Sequence, residues 1–329
     1  MRILIVNNTV IPAKFYGGTE RVIWGLGKEL VQMGHEVTFL VEPGSSCDFA
    51  KVIFMDGSRD IVEQIPGDFD ILHFHFNPKN IESLKSKYII SIHGNSNNKE
   101  PFNKNVVFVS RNHAERYASD SFVYNGLDWS EYEKPDLKMY RKHFHFLGKA
   151  AWRVKNVQGA IDIIKDTPSE KLMVLGGNRF NISMGIRFTF SPRIKFRGMV
   201  NGTQKFSLLN NSKGLVFPVK WHEPFGLSII ESMYYGCPVF GTPYGSLPEL
   251  VLPEFGYLSN KQKELTNALM NWDAYSKVRC YEYANDVFNS RKMAIEYLKK
   301  YELVISGKNL NPVAPILKEV QEEKFLEWI

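Results

Sequence analysis

The feature that most constrains the fold of this chain is the alternation of short apolar runs with helical patterns along most of its 329 residues. Runs such as Arg2–Asn7 and Glu36–Val41 have the length and composition of buried strands. The stretch between them, 19–33, places its apolar residues at helical spacing. Strands that alternate with helices are typical of α/β proteins with parallel sheets. The sequence therefore predicts an α/β fold of doubly wound, Rossmann-like parallel sheets.

The same patterns predict individual elements in both halves of the chain. Strands are expected near residues 2–7, 36–41, 51–55, 70–76, 88–93, 105–109, 122–124, 143–148, 171–176, 194–197, 214–218 and 238–241. Helices are expected near residues 19–33, 58–65, 80–86, 111–119, 155–165, 203–210, 224–235, 261–270, 290–304 and 315–329.

One polar stretch divides the chain into two predicted domains. Leu127–Asp136 contains a proline and has no apolar period, which is typical of a linker. We therefore predict a first domain over 1–127, a linker over 128–142, a second domain over 143–305 and a C-terminal helix over 306–329. Two doubly wound domains usually bind their ligand in a central cleft, at the carboxyl ends of the strands of both sheets.

Composition narrows the class of protein. At 44% hydrophobic residues the chain can bury sizeable cores, and it contains no apolar run of about eighteen residues that would predict a transmembrane helix. The three cysteines, Cys47, Cys237 and Cys280, are scattered and form no CxxC pair, which favours reduced thiols and no structural zinc. We therefore expect a cytoplasmic protein, with the inner face of the membrane as an alternative location.

Positive charge is concentrated in one stretch of the second half. From Lys171 to His222 there is no Asp or Glu. Such a block is expected to steer a diphosphate, to contact an anionic membrane or to bind nucleic acid, unless its charges are simply scattered and solvated. Nucleic acid is the least favoured of these partners, because no recognition module accompanies the charge. The basic residues of the block are Lys171, Arg179, Arg187, Arg193, Lys195, Arg197, Lys205, Lys213 and Lys220.

The most informative motif runs from Trp221 to Glu231. Pro224 suits a first helical position, and Gly236 suits the position after the helix end. Glu231 falls inside the apolar helix that these residues delimit, where a carboxylate is costly unless something donates hydrogen bonds to it. The two hydroxyl groups of a ribose would do so. Glu223 precedes the helix, so it is expected at the helix mouth.

Backbone amides at that mouth form a natural anion site. The N–H groups of Phe225, Gly226 and Leu227 are the predicted donors. A ligand with a hydroxyl at Glu223, phosphate at the helix start and a diol at Glu231 has the three parts of a nucleotide-sugar.

Two loops after predicted strands add candidates. Gly17, Gly18 and Thr19 open the first helix, with Thr19 as its expected cap, and they either face the cleft or form only a tight turn. The pattern is not GxGxxG, so it does not predict a dinucleotide site. In the loop after Gly148, the basic side chains either meet a pyrophosphate or form only a basic loop, and they do not match a phosphate-binding Walker loop. These side chains are Lys149, Arg153 and Lys155.

Histidines and acidic pairs of the first half are weighed against structural roles. His93 ends a predicted strand, where it would transfer a proton, donate a hydrogen bond or serve only the structure. His73 and His75 share one strand face without a third ligand, which favours packing over metal binding. Asp68 and Asp70 match a D-x-D pattern that some sugar transferases use for a divalent ion, but their place after Pro-Gly favours turn chemistry.

The order of these motifs resembles the retaining glycosyltransferases of family 4, which have the GT-B fold. The resemblance extends over nearly the whole chain, and its strongest part is the glutamate pair with the Phe-Gly-Leu between. The matching motifs are Gly17–Glu20, Gly34–Val37, His93, Val109–Arg111, Asn125–Asp128, Gly148 with Lys155, Gly198, Glu223 with Glu231 and Gly245–Glu249.

The resemblance implies a role for each candidate residue. Glu231 would hold the nucleotide ribose, Glu223 a hydroxyl of the transferred sugar, and Lys155 with a basic partner the diphosphate. His93 would lie near the reacting sugar. The backbone at Phe225, Gly226 and Leu227 would face the sugar and phosphates, and Gly17, Gly18 and Thr19 would line the acceptor side. The last helix would return to the first domain.

Two departures from the family pattern concern the diphosphate. Lys149 stands where the family usually has arginine, and the spacing to Lys155 is one residue longer, so either Lys149 or Arg153 takes that arginine's role. Ser246 also replaces the second glycine of the family's Gly-Gly pair.

The resemblance therefore implies a retaining enzyme that transfers a sugar from a nucleoside-diphosphate sugar to an acceptor hydroxyl, without a metal or other cofactor. The acceptor would be a glycan, a lipid-linked molecule or a small molecule, and surface polysaccharide assembly is one setting in the family's range. The alternatives are an inactive nucleotide-sugar-binding subunit and a sugar-nucleotide epimerase on the same fold.

Overall fold

The computed structural model describes residues 1–13, 17–181, 187–200 and 202–329 of the chain. These residues form two compact units. The first unit contains Met1–Trp129 and Phe288–Gln321, and the second contains Ser130–Val287 and Glu322–Ile329.

The described residues contain the following elements. The strands are β1 (Arg2–Asn7), β2 (Glu36–Val41), β3 (Lys51–Phe54), β4 (Ile71–Phe74), β5 (Tyr88–Ile92), β6 (Val106–Phe108), β7 (His143–Leu147), β8 (Leu172–Leu175), β9 (Phe180–Asn181), β10 (Arg187–Phe188), β11 (Ile194–Phe196), β12 (Ser212–Phe217), β13 (Val239–Gly241) and β14 (Gly256–Leu258). The α-helices are α1 (Gly18–Gln32), α2 (Arg111–Arg116), α3 (Val157–Lys165), α4 (Gly202–Asn210), α5 (Leu227–Tyr234), α6 (Leu247–Leu250), α7 (Gln262–Met270), α8 (Lys277–Val287) and α9 (Ser290–Ile305).

The first unit is built on a six-stranded sheet in the order β3-β2-β1-β4-β5-β6, and each neighbouring pair is parallel. Its central strand β1 is buried from Ile3 to Asn7, which explains its continuous apolar sequence. Helix α9 belongs to this unit because it packs against α1 and β5. The sequence analysis grouped 288–305 with the second domain, whereas these contacts group them with the first.

The second unit repeats the architecture. Its six-stranded sheet has the order β11-β8-β7-β12-β13-β14 and is again parallel throughout. A separate antiparallel pair, β9 and β10, lies outside this sheet. Since the strands are parallel, the loops that follow β7, β12 and β13 all begin at one edge of the sheet.

The α/β prediction with parallel sheets is therefore confirmed, while several predicted elements are shorter or differ. The predicted helices at 58–65 and 80–86 are single 3₁₀ turns, Ile61–Gln64 and Ile81–Ser83. Residues 122–124 contribute only one isolated bridge, between Phe108 and Phe122. The sequence analysis did not predict β9, β10, β14, α6 or α8.

The predicted helix over 306–329 is wrong, because those residues contain no helix in the structure. Several of their backbone N–H groups bond to other segments instead of to one another. In the first unit Ile316 donates to the carbonyl of Tyr117 at 3.0 Å, and in the second Leu326 donates to that of Lys220 at 2.9 Å. Leu317 is also buried, so tertiary pairing outweighs the helical period of the sequence.

Buried histidines make stability depend on pH. Burial lowers the pKa of His145 to about 3, where its ring bonds to the hydroxyl groups of Ser212 and Ser232. The unfolded chain takes up a proton below its ordinary pKa of about 6.5, while the folded chain does not, so stability is lost as pH falls from about 6.5 toward 3. We expect His145 alone to contribute about 1.4 kcal/mol per pH unit in this window. Urea unfolding at successive pH values should show a shallower decline for His145→Gln, and an equal decline would contradict the assignment.

Candidate functional site

Three loops of the second unit converge at the carboxyl edge of its sheet. The loop after β7 bonds to the loop after β12, since the Lys220 N–H donates to the Val154 carbonyl at 2.7 Å. The loop after β13 bonds to the same segment, because Ser246 donates its N–H to the Glu223 carbonyl at 2.9 Å. The predicted donor residues of these loops are thereby brought into one region.

The centre of this region is a buried ion pair between Lys155 and Glu223. Lys155 Nζ lies 2.5 Å from Glu223 Oε2, and the two side chains are only 10% and 7% exposed. Trp221 Nε1 donates to the same carboxylate oxygen at 2.8 Å. The ammonium also lies 5.1 Å from the Phe217 ring centre and 5.0 Å from that of Trp221. Both the charge and the hydrogen-bond donors thus fix the Glu223 carboxylate.

A second buried ion pair surrounds Glu231. Lys205 Nζ lies 2.6 Å from Glu231 Oε1, and the Tyr132 hydroxyl donates to the same oxygen at 2.8 Å. The sequence analysis expected something to donate hydrogen bonds to this carboxylate and offered a ribose as one such partner, and the structure shows that Lys205 and Tyr132 already donate to it. Glu231 nonetheless lies on α5, the helix that follows the Glu223 loop.

Helix α5 begins later than predicted. Its first residue is Leu227, with Gly226 as the N-cap at φ 87°, so Pro224 is not in the first helical position. The turn at Gly226 has a left-handed backbone, which glycine adopts without steric cost. The Ser246 hydroxyl donates to the Phe225 carbonyl at 2.6 Å and holds the turn. The predicted stop is confirmed, since Gly236 follows the helix at φ 70°.

The two residues considered for the missing arginine differ in their surroundings. Lys149 is exposed, with Nζ 5.4 Å from the Trp152 ring centre. Arg153 is exposed as well, and its guanidinium lies 4.9 Å over the Phe325 ring. Lys220 lies over the same ring at 4.5 Å, and burial together with nearby Arg153 lowers the pKa of Lys220. Lys149 and Arg153 therefore add positive charge to the loop that carries Lys155, and Lys220 adds more from the neighbouring loop.

The basic block does not form a uniform positive face. Lys205 pairs with Glu231, and Lys213 pairs with Glu170 at 2.7 Å. The guanidinium groups of Arg179 and Arg193 donate to backbone carbonyls. Arg187 has its side chain outside the described part of the structure. Much of this charge therefore serves internal contacts, which the sequence count did not reveal.

In the first unit, the half-buried His93 contacts a cluster of buried polar groups. Its Nε2 lies 2.9 Å from His75 Nδ1, and burial lowers the pKa of His93 to about 4. His73 contacts the Tyr301 hydroxyl at 2.8 Å and the Ser91 hydroxyl at 2.7 Å. The histidines are consequently neutral near pH 7, and hydrogen bonding as well as packing holds them.

The glycine loop of the first unit differs from its prediction in one respect. Gly17 is the N-cap of α1, and the helix begins at Gly18, so Thr19 lies within the first turn and provides no side-chain cap. A side chain at position 17 would meet Ala13 and Glu20, which explains the need for glycine there. Tyr16, which precedes this loop, lies outside the described residues.

Both aspartates of the D-x-D pattern accept hydrogen bonds from Arg2, a partner that the sequence analysis did not name. Both Asp68 oxygens accept from the Arg2 guanidinium, and Asp68 has a left-handed backbone at φ 83°. Asp70 accepts from the backbone N–H of Arg2 at 2.7 Å. Among the described residues there is no group of three His, Cys, Asp or Glu side chains arranged to hold a metal ion.

Sequence reasoning missed three residues of the site. Lys205 was counted among surface charges, Tyr132 was assigned to a linker, and Trp221 was given no role. Only Trp221 carried a signal, since it lies two residues before Glu223. Lys205 and Tyr132 are distant from Glu231 in the sequence, and only the fold brings them into contact with it.

A protein-family model matches the part of the chain that contains both ion pairs. Residues 141–272 match the family model described as glycosyl transferases group 1. No curated protein sequence matches the chain. Within the described residues no helix is both long and apolar enough to cross a membrane.

Solved structures resemble nearly the whole chain. AviGT4, a glycosyltransferase involved in avilamycin A biosynthesis, is 19% identical with a TM-score of 0.69, over 93% of this chain and 98% of that one. Sucrose-phosphate synthase from Thermosynechococcus elongatus is 15% identical with a TM-score of 0.71, over 93% and 100%. HepE from Anabaena, in complex with UDP-glucose, is 15% identical with a TM-score of 0.65, over 92% and 99%.

These comparisons define the class of fold. The chain has the GT-B fold of glycosyltransferases, and most of its second unit matches the group 1 sequence model.

Proposed function

We propose that this protein is a retaining glycosyltransferase that transfers a sugar from a nucleoside-diphosphate sugar to an acceptor hydroxyl. The observation that carries the proposal is the pair of buried ion pairs, Lys155 with Glu223 and Lys205 with Glu231, on either side of the turn into α5. This region lies within the part that matches the group 1 model. HepE, which shares the fold, is described in complex with UDP-glucose.

Each donor part has a partner in this proposal. Glu231 accepts hydrogen bonds from the ribose, and Glu223 accepts one from the transferred sugar. Lys155, assisted by Lys149 or Arg153, binds the diphosphate, and the turn at Phe225–Leu227 lies against sugar and phosphate. Because Lys155 and Glu223 pair with each other in this structure, the donor must share or replace that contact when it binds.

The proposed chemistry proceeds on one face of the sugar. The bond between the anomeric carbon and the diphosphate oxygen breaks while the acceptor oxygen bonds to the same carbon. The acceptor proton passes to the leaving phosphate oxygen. Lys155 stabilises the negative charge that develops on the diphosphate, and electrostatic stabilisation of this kind is usually the largest single contribution to catalysis. We propose that this cationic site performs the role without a divalent ion.

In the first unit, we propose that His93 contacts the sugar as a neutral group and that Gly17, Gly18 and Thr19 belong to the acceptor side. We propose that the acceptor is a glycan, a lipid-linked molecule or a small molecule. We also propose that the protein makes peripheral contact with an anionic membrane.

The first experiment is thermal unfolding with UDP, GDP, ADP, CMP and their sugars, each with and without EDTA. We expect one nucleoside diphosphate to raise the melting temperature selectively, because a ligand that binds only the folded state stabilises it. EDTA should leave the shift unchanged. Failure of every nucleotide to shift the transition would remove the proposal, and a shift that EDTA abolishes would remove its metal-independent part.

A second measurement separates transfer from the alternative roles. Release of the nucleoside diphosphate from its sugar, with water as acceptor, is expected of a transferase. Binding without release would favour a nucleotide-sugar-binding subunit. Conversion of the sugar while it stays attached to the diphosphate would indicate an epimerase.

A further inference from the structure

The ion pair between Lys205 and Glu231 is buried, and its position calls for an explanation beyond charge neutralisation. Glu231 is 2% exposed and Lys205 is 8% exposed, so both charges are almost completely removed from water. A buried ion pair is often no more stable than apolar side chains of the same volume. Stability alone therefore does not explain why an ammonium and a carboxylate occupy this position.

The surroundings of Lys205 restrict where its ammonium can lie. Nζ is 5.2 Å from the Tyr132 ring centre and 5.5 Å from that of Phe206. These two rings pack against each other with centres 5.2 Å apart, and Phe206 also stacks on Tyr235. The aromatic faces favour a cation at this point, which holds the ammonium against Glu231.

Two donors converge on a single oxygen of Glu231. Lys205 Nζ and the Tyr132 hydroxyl lie 2.6 and 2.8 Å from Oε1. A carboxylate oxygen that accepts from both a cation and a hydroxyl favours the charged form of the group and limits its rotation. Strong hydrogen bonding to a diol needs both properties, because a charged acceptor binds hydroxyl groups more tightly than a neutral one.

We propose that Lys205 and Tyr132 are positioning residues for ribose recognition, which they provide by keeping Glu231 charged and in one orientation. The inference rests on the proposed function, since it assumes that Glu231 meets the ribose of a nucleotide. It adds two residues that act through Glu231 rather than through contact with the reacting atoms.

The test compares ribose with deoxyribose. UDP, GDP and ADP and their 2′-deoxy counterparts are titrated into the wild-type protein by calorimetry from about pH 6 to pH 9. We expect the nucleotide that binds to be preferred over its 2′-deoxy form by roughly 10-fold, because one charge-assisted hydrogen bond is lost. Between these pH values the preference should stay constant while Lys205 keeps Glu231 ionised.

Lys205→Met removes the charged ammonium and keeps an unbranched stem of four heavy atoms. Its Glu231 loses the ammonium while still buried, so it is expected to take up a proton at a higher pH than in the wild type. The ribose preference should then fall to roughly 2-fold near pH 6 and recover toward pH 9. Affinity for inorganic pyrophosphate should stay within about 2-fold, since Lys155 is unchanged.

Two further variants keep the test decisive if Lys205→Met does not fold. Lys205→Arg retains the cation and should restore most of the ribose preference. Tyr132→Phe removes one donor and should lower the preference by roughly 2- to 5-fold. A wild-type preference that persists unchanged in Lys205→Met and Tyr132→Phe would overturn the inference alone. If the wild type binds none of the nucleotides, the proposed function fails together with it.

Discussion

Lys155→Met is expected to reduce release of the nucleoside diphosphate by roughly 100- to 1000-fold, the cost of removing one fixed donor from a developing negative charge. Methionine keeps the unbranched stem that lies beside the Phe217 and Trp221 rings. The stem is kept while the ammonium is lost, so the change tests the ammonium together with its pairing to Glu223. Turnover of the nucleotide-sugar with water as acceptor measures it.

The chain offers a matched control for this substitution. Lys213 also pairs with a glutamate, Glu170, at 2.7 Å, and it lies over two aromatic rings, those of Phe144 and Trp272. Both lysines belong to the second unit. Lys213→Met should therefore reproduce the loss of an ion pair in an aromatic setting while the proposed donor site stays intact.

The two variants separate catalysis from stability. Both are expected to unfold more easily, because each leaves a glutamate without its cation. Only Lys155→Met should lose turnover out of proportion to its stability. Equal turnover in the two variants, measured well below their melting temperatures, would contradict the assignment of Lys155.

The sequence predicted the sheets well because their signal is local. Strands such as β1 and β8 are short apolar runs between turn residues, and burial on both faces gives them that composition. The helix that contains Glu231 was predicted for the same reason, and so was its stop at Gly236. The start was misplaced because Pro224 is an equally good residue for a turn that precedes a helix.

The partners of Glu231 could not be predicted in the same way. Lys205 lies 26 residues before Glu231 in the sequence. It reaches Glu231 only because α4 and α5 both belong to the second unit. Tyr132 is further away still in sequence. Nothing local distinguishes a lysine that will be buried from one that will be solvated, so counting charges assigned Lys205 to the surface.

The C-terminal error has a similar origin. Residues 315–329 have an amphipathic pattern, but Ile316 and Leu326 use their N–H groups for tertiary hydrogen bonds. Pattern alone does not tell which partner a backbone group will choose when another segment supplies a carbonyl.

Gly245→Ala is expected to disrupt the site, because Gly245 packs directly against the backbone of Glu223. Gly245 has a left-handed backbone at φ 65°, and a Cβ there would lie 2.2 Å from the backbone nitrogen of Glu223 and 2.3 Å from its carbonyl oxygen. Neither atom can move without moving the loop that carries Glu223. The hydrogen bond from Ser246 to the same carbonyl would be strained as well.

Gly198→Ala is the control for Gly245→Ala, because it isolates the part of the stability loss that comes from the left-handed backbone. Gly198 has φ 67°, nearly the same as Gly245, but a Cβ there would meet nothing within 4 Å. It should lower the free energy of unfolding by about 1 kcal/mol, the cost of a left-handed alanine. Gly245→Ala adds overpacking, so its total loss should be roughly 2–4 kcal/mol.

The measurements are urea unfolding and nucleotide titration on both variants. Gly245→Ala should also lose most of its affinity for the nucleotide-sugar, because Glu223 and the Phe225–Leu227 turn shift together. The affinity for the nucleoside diphosphate without its sugar should fall less, since Glu231 and Lys205 lie on α5 and α4 rather than on the displaced loop. If Gly245→Ala and Gly198→Ala destabilise the protein equally and bind the nucleotide-sugar equally, close packing between Gly245 and Glu223 does not shape the site.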